Sequence, residues 1–485
     1  MSEEKTDAKF DNVDVIHRGK QIILPMLPDG KKMSFKDAMV WLARKEREAE
    51  TEVRALHYIE NGAPLDAAVA FHRTVQEEFG FSELRWTPAE PGIFGNPAEP
   101  PIVLGIDISA TERIQVPLGH IAIPGVEGEL KTSFSGDKFM ISGIVKSKHA
   151  HIVNELAAKT RAYLTKQSIY KGAAIKMSFA YVERVEDGGR YDPISDQPRF
   201  MNLSGVKETD LIFGQAVQDA LEIGLFAPIE NSDALRKCGV PLKRGVLPFG
   251  KYGTGKTMIA HVTALKAHRN GWTFIYLDSV RDLKHGLRFA AQYAPAVVFA
   301  EDIDRAVTGE RNEDMDEILN TLDGVDTKGA EIITVLTTNH VDKINPAMLR
   351  QGRIDVAIEI EPPDADAAEK IVRLYARGYL EAGASLEKIG KILSGRIPAF
   401  IRECTERAKI AAIARIKSHK IEGQVLEQDL LAAAHAMESH ARMLEPRASR
   451  EAPRNPIVMV QASDEVREQV GEMLVSATNG SALRQ

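Results

Sequence analysis

In the second half of the chain, apolar residues come in short unbroken runs that end at glycine, polar or acidic residues. That pattern predicts strands buried on both faces of a parallel sheet. The runs are residues 245–249, 272–277, 296–300 and 332–336. Between the first two, Ile259, Val262 and Leu265 fall at helical spacing within 258–266, and another helix is expected near 215–226. Beyond Pro362 and Pro363, stretches rich in Ala, Leu and Ile at 365–379, 386–393, 399–418 and 426–443 predict a cluster of helices.

The first half has a mixed period. Residues 1–30 show little periodicity and are expected to be a loose tail. Ser34 then opens a capping-box pattern, followed by Phe35, Ala38, Met39, Trp41 and Leu42 on one helical face. The charged run 44–52 is expected to continue that helix, and a second helix is expected over 65–79. The Pro- and Gly-bearing stretch 87–101 reads as a linker. Past it, 101–108, 114–118, 120–123 and 138–145 are β-type runs, followed by a helix at 151–165 and a strand at 173–182. The expected organisation is a mostly helical region (1–90), a β-rich recognition domain (100–190), an α/β domain (205–362), a helical lid (363–445) and a linker with tail (446–485).

Composition narrows the class. With 485 residues, 44% hydrophobic and 27% charged, the chain has material for several cores. Its net charge of −7 argues against a general polyanion binder, although a local basic patch would be compatible with it. Only Cys238 and Cys404 are present, which fits reduced thiols. The polar N-terminus and the lack of any apolar run of about 18 residues make a cytoplasmic protein without a membrane span the expectation.

The candidate chemistry is concentrated at the ends of the apolar runs. GKYGTGKT, residues 250–257, has the spacing of a phosphate-binding loop between a strand and a helix N-terminus. Gly250, Gly253 and Gly255 allow backbone N–H groups to converge on a polyphosphate, with Lys251, Tyr252, Thr254 and Met258 in the same wrap. Lys256 would meet the β/γ oxygens and Thr257 a Mg²⁺ ion. The run 296–300 ends in Glu301 and Asp302, one carboxylate to orient the metal's water shell and its neighbour to polarise attacking water. The run 332–336 leads to Asn339, an amide suited to the γ-phosphate. Arg350 and Arg353 supply rigid forks for phosphoryl charge, in trans if the nucleotide sits on a neighbour.

Taken in order, GKYGTGKT, AVVFAEDID, ILNTLDGV, VLTTNH and NPAMLRQGRID resemble the motifs of one AAA-type ATPase module, spanning about 210–443. The resemblance implies an α/β P-loop fold, a five-stranded parallel sheet plus helical lid, here preceded by an α-helical and β-rich N-terminal region. It implies ATP and Mg²⁺ as cofactors, Mg²⁺ being held by Thr257 and, partly through water, Glu301. It also implies Asp302 as base, Asn339 as sensor, and Arg350 and Arg353 as fingers offered to an adjacent subunit of a ring, usually a hexamer. Asp210, Ile212 and Gly214 stand where the family's adenine-contacting loop lies. The Glu301-Asp302 order and the string TTNHVDKINPAMLRQGRID most resemble the mitochondrial translocase branch that delivers the Rieske iron–sulfur protein, without its membrane helix. Two departures bear on mechanism. Lys251 and Tyr252 replace the usual prolines, and the shorter acid stands at the catalytic position. The segment 278–286 also lacks the aromatic of a threading loop. The expected function is an ATP-hydrolysing ring that remodels a protein substrate recognised by the N-terminal region. Alternatives are an ATP-gated assembly switch and a DNA-acting ATPase.

Overall fold

The computed structural model describes residues 14–17, 20–23, 33–60, 63–86, 100–179, 192, 196–305, 331–350, 352–417 and 423–444. Near the N-terminus, β1 (Asp14–His17) pairs antiparallel with β2 (Lys20–Ile23), which overturns the loose-tail expectation for those residues. Helix α1 (Phe35–Ala49) starts where expected, with the Ser34 hydroxyl accepting from Asp37 N. It carries the charged run as far as Ala49, short of the expected end at residue 52. Glu52–Ile59 is a strand, β3, whose residues alternate between exposed and half-buried down to Ile59, a period of two.

Helix α2 (Pro64–Phe79) follows, then β4 (Glu83–Leu84), β5 (Ile102–Asp107), β6 (Arg113–Ala122), β7 (Gly128–Ser135) and β8 (Lys138–Lys146). These strands form an antiparallel sheet in the order β3-β8-β7-β6-β4, with β5 also paired to β6. The two runs expected at 114–118 and 120–123 are one strand, kinked at Gly119, whose N–H and carbonyl both bond the Thr132 hydroxyl. Helix α3 (Ala150–Gln167) joins α2 on one face of the sheet. Phe71, Phe139, Ile141 and Leu156 lie in that core.

The second sheet has the order β10-β9-β12-β13-β14-β11-β15. Its members are β9 (Ala174–Met177), β10 (Arg199–Phe200), β11 (Arg244–Phe249), β12 (Thr273–Leu277), β13 (Ala296–Ala300), β14 (Ile332–Leu336) and β15 (Val356–Glu359). The expected five parallel strands are β12, β13, β14, β11 and β15. The strand expected with the N-terminal domain joins them instead: β9 runs parallel to β12, and β10 closes that edge antiparallel. Alternate residues feed two cores. Phe274, Phe299 and Ile333 enter one, and Ile275, Val298 and Ile332 the other, which is why these strands read as unbroken apolar runs.

At Gly245, the second residue of β11, a Cβ would lie 1.8 Å from the carbonyl oxygen of Arg353, so the approach of the arginine segment requires glycine. The helices Ala365–Ala376, Glu387–Leu393, Pro398–Ile416 and Glu427–Leu444 follow, as the apolar pattern predicts. Gly378–Ala384 and the chain from Cys404 onward form a compact unit of their own, in which Arg415 pairs with Asp429 at 2.8 Å and Val425 is buried. No described helix is long and apolar enough to cross a membrane.

One buried carboxylate joins the two sheets. Asp66, in the first turn of α2, is 1% exposed and accepts hydrogen bonds from Ser168 Oγ (2.6 Å), Ile169 N (3.1 Å) and the Tyr293 hydroxyl (3.3 Å). Burial outweighs these donors and pushes its carboxyl up to about 6 from 3.8. A carboxyl whose folded value lies above its unfolded one binds more protons when folded, so stability declines as pH rises from about 4 through about 6. At about 1.4 kcal/mol per unit, the loss approaches about 3 kcal/mol. Asp66→Asn, which keeps an acceptor for Ile169 N, should remove this decline. Thermal melts of both proteins from pH 4 to 8 check it, and parallel curves would contradict it.

Candidate nucleotide site

The site is built at the carboxyl ends of β11, β13 and β14, where an open α/β sheet places its ligands. After Phe249 the chain bends through Gly253 (φ +74°) and Gly255 (φ +107°) into the helix Lys256–Arg269. Gly255 lies against Phe213, 3.3 Å from where a Cβ would be, so a side chain there would meet both strain and a wall. Gly250 follows the strand directly, and Thr254 is buried with its hydroxyl on the carbonyl of Lys251 (2.9 Å). Lys251, Tyr252 and Thr257 are exposed, and Met258 packs against the sheet core. Lys256 is only 8% exposed, and its ammonium donates to the carbonyls of Gly250 (2.7 Å) and Lys251 (2.9 Å). Burial holds its pKa below the usual lysine range, against the opposing pull of Asp302, Glu301 and Asp304.

The acids sit just past β13. Asp302 has φ +54°, a left-handed conformation that costs energy outside glycine and that Asp tolerates better than most residues. Its backbone N–H donates to Thr337 Oγ1 (3.3 Å), and its carboxylate accepts from the Asn339 amide at 2.7 Å. Thus the sensor amide and the candidate base touch directly. Glu301 is half-buried, and its Oε1 is buried without a hydrogen-bond partner. An unpartnered oxygen on a carboxylate whose charge Lys256 feels fits a divalent cation or its water shell, with the Thr257 hydroxyl in the first turn of the helix as the other candidate ligand. The neighbouring Tyr276 is stacked on Phe299 (6.0 Å, 8°), and burial followed by Glu301 raises its phenol well above the ordinary value.

Asp304 emerges as a site residue that the motif reading passed over. It is 5% exposed and accepts from Thr338 Oγ1 (2.7 Å) and Asn339 N (3.3 Å), so it fixes the strand end that carries Asn339. A third acid two positions beyond Asp302 was the available signal. His340 is the other addition: its ring meets the exposed Tyr252 edge-on at 5.9 Å, bridging the phosphate loop and the end of β14.

The remaining candidates are spread more widely. Asp210 ends a short 3-10 turn, Ile212 is half-buried, and Gly214 caps the helix Gln215–Leu221 beside Asp364, itself the N-cap of Ala365–Ala376. The two arginines are not equivalent. Arg353 donates to the carbonyl of Ala347 (2.8 Å) within its own turn, whereas Arg350 is exposed. Two arginines beyond Pro363 lie on rings, Arg396 over Phe400 (5.6 Å) and Arg402 over Tyr375 (5.7 Å). In 278–286 the Asp282 carboxylate is buried and accepts from Phe179 N (3.0 Å), so this segment is tied to the chain leaving β9. ILNTLDGV lies outside the described residues.

Residues 246–362 match the family model described as "ATPase family associated with various cellular activities (AAA)". The chain is 30% identical over 210 residues to the 26S proteasome regulatory subunit 8 homolog of Schizosaccharomyces pombe, covering 38% of this chain and 51% of that protein. It is 28% identical over 246 residues to the Cell division cycle protein 48 homolog of Archaeoglobus fulgidus (46% and 33%). It is 30% identical over 245 residues to the ATP-dependent zinc metalloprotease FtsH 2 of Symbiobacterium thermophilum (46% and 41%). The chain thus spans about a third to a half of these relatives, and it carries an AAA ATPase domain. The finer likeness to the translocase branch rests on the sequence strings alone.

Lys256→Ala should weaken ATP binding about 10- to 100-fold, since a hydrogen bond to a charged group is worth about 1.5–3 kcal/mol. Titration calorimetry checks this, and unchanged affinity would contradict the assignment.

Proposed function

We propose that this protein hydrolyses ATP as a ring of identical subunits, six by analogy with its family, and uses the cycle to remodel a protein substrate chosen by its N-terminal region. The observation that carries the reading is the 2.7 Å bond from the Asn339 amide to the Asp302 carboxylate, set beside the buried Lys256. A catalytic base must first have reach, and here the backbone of Asp302 turns left-handed just where the acid is one methylene short. Asn339 holds that carboxylate, Thr337 holds the Asp302 backbone N–H, and Asp304 holds the Asn339 backbone. Mg²⁺, held by Thr257 and through water by Glu301, would supply positive charge across the β- and γ-phosphates.

In this reading the phosphate loop, 250–258, cradles the triphosphate, and the Lys256 ammonium moves from loop carbonyls to phosphate oxygens. Asp210, Ile212 and Gly214 border the base. Arg350, exposed after its short turn, reaches a neighbouring subunit's nucleotide, while Arg353 braces that turn through Ala347. Among the relatives, the FtsH 2 protein is named an ATP-dependent protease, which supports coupling ATP to work on a protein. The short, anchored segment 278–286 favours prying or passage through a wide pore over gripping with stacked aromatics.

A second reading, an ATP-gated switch with little hydrolysis, is favoured by the same Asn339–Asp302 contact, because the amide occupies an oxygen that a base would need. Steady-state turnover above the ring-assembly concentration separates the two. Asp302→Asn should abolish turnover while ATP still binds, and a parent protein that binds ATP without turnover would establish the switch. Arg350→Ala should leave binding nearly intact and depress turnover by about 10³-fold or more, as arginine fingers do, with Arg353→Ala acting mainly on the turn. Mixing Arg350→Ala with Lys256→Ala protein should restore part of the activity; no recovery at any ratio would refute action in trans.

A further inference from the structure

The N-terminal sheet has one covered face and one open face. Helices α2 and α3 lie on the first, where His57 meets Asn154 at 2.9 Å and Ile59 is 1% exposed. On the other face, Arg54, Leu56 and Tyr58 of β3 stand directly opposite Ile144, Ser142 and Met140 of β8. Beyond them on β7 are Glu129, Lys131 and Ser133. Residues opposite one another in an antiparallel pair share a face, so these side chains form one surface. Leu56 is 44%, Tyr58 40% and Ile144 56% exposed. Single exposed apolar residues are ordinary, but three at adjacent register positions form a patch that calls for a partner.

Two further observations identify what that partner is. The floor of the patch is closed: Ser142, at its centre, is 8% exposed and bonds the carbonyl of Lys131 (3.3 Å). Beside Met140, the Ser133 hydroxyl is buried with no hydrogen-bond partner. The charges are also uneven. Glu52 meets Lys146 (3.8 Å), Glu60 meets Lys138 (2.7 Å), and Glu129 lies 3.2 Å from the His120 ring, so each of these acids has a basic neighbour. Arg54 and Lys131 have no carboxylate within ion-pair reach among the described residues. A chain of net charge −7 therefore offers, beside these apolar side chains, two cations with no carboxylate partner among the described residues. Two cations around an aliphatic and aromatic floor are too few for a phosphate backbone, whose binding draws on many basic contacts.

We propose that this face docks an acidic amphipathic segment of a protein substrate, its apolar side chains against Leu56, Tyr58 and Ile144 and its carboxylates on Arg54 and Lys131. The proposal rests on the reading that the N-terminal region selects a protein substrate, and it names the chemistry selected. Charge complementarity of this kind contributes specificity, while the apolar centre contributes most of the affinity.

The test uses the full-length protein with ATP. A random peptide display library is selected on it, with Leu56→Ser/Ile144→Ser protein as the counter-selection. Recovered peptides are measured by fluorescence anisotropy on the parent, on that variant and on Arg54→Glu/Lys131→Glu. The peptides should interleave carboxylates with apolar residues and lose about tenfold or more in affinity on both variants. Replacing their acids by lysine should restore binding to the charge-reversed variant alone. ATP turnover without peptide should stay within about twofold of the parent in both variants, since none of these residues lies at the nucleotide site. Peptide loss with turnover intact therefore reports on this face, and absent turnover with peptide binding intact would count against the ATPase reading only. The proposal is overturned if the peptides show no acidic bias, if they bind the variants as well as the parent, or if light scattering shows that the variants change the number of subunits, which would make the face a contact between copies.

Discussion

The nucleotide site depends on keeping one buried ammonium close to three carboxylates without letting them collapse into ion pairs. Lys256 feels Asp302, Glu301 and Asp304, yet its hydrogen bonds go to backbone carbonyls of its own loop. Each acid has its own occupation: Asp302 is held by Asn339, Asp304 by Thr338 and the Asn339 backbone, and Glu301 keeps one oxygen unbonded. A direct Lys–carboxylate bond would neutralise the charges that a triphosphate and its metal need on opposite sides. The sheet enforces the separation, because β14 lies between β11, which delivers the lysine, and β13, which delivers the acids.

Much of this was legible in the sequence, because the residues concerned answer to local rules. Phosphate loops need glycine at fixed offsets, and strands buried on both faces must be apolar throughout, so 245–257, 296–302 and 332–339 could be read directly. Where the rules compete, the reading failed. Glu52–Ile59 follows a charged helix and contains residues with good helix propensity, but its pairing with β8 overrode that preference. Strand β9 looked like one more member of the N-terminal sheet. Nothing within Ala174–Met177 specifies which neighbour it pairs with, since parallel pairing is settled by contacts distant in sequence. Asp304 had only its place two positions beyond Asp302 as a signal, and the role of His340 could be found only by seeing which strand ends meet.

Different positions along the chain therefore carry different kinds of constraint. Gly245 and Gly255 are fixed by what approaches them, Arg353 and Phe213 respectively. Asp302 is strained in the backbone and restrained by its neighbours, the combination by which functional geometry is usually maintained. Arg350 is held through its backbone, whose carbonyl accepts from Arg353 N, while its side chain is exposed, as suits a group whose partner would lie elsewhere.

Strand β9 gives the architecture a property that a flexible tether would lack. The chain leaving the N-terminal sheet and the parallel sheet share a hydrogen-bonded ladder: Phe274 N–H donates to Ala173, Asp278 N–H to Met177, and Gly172 N–H to Thr273 Oγ1. A rotation of β12 must then carry the chain leading back to α3 with it, as a shaft carries a keyed wheel. A foreign N-terminal region grafted at this junction would have to bring its own edge strand, in register, or leave the parallel sheet with an open flank.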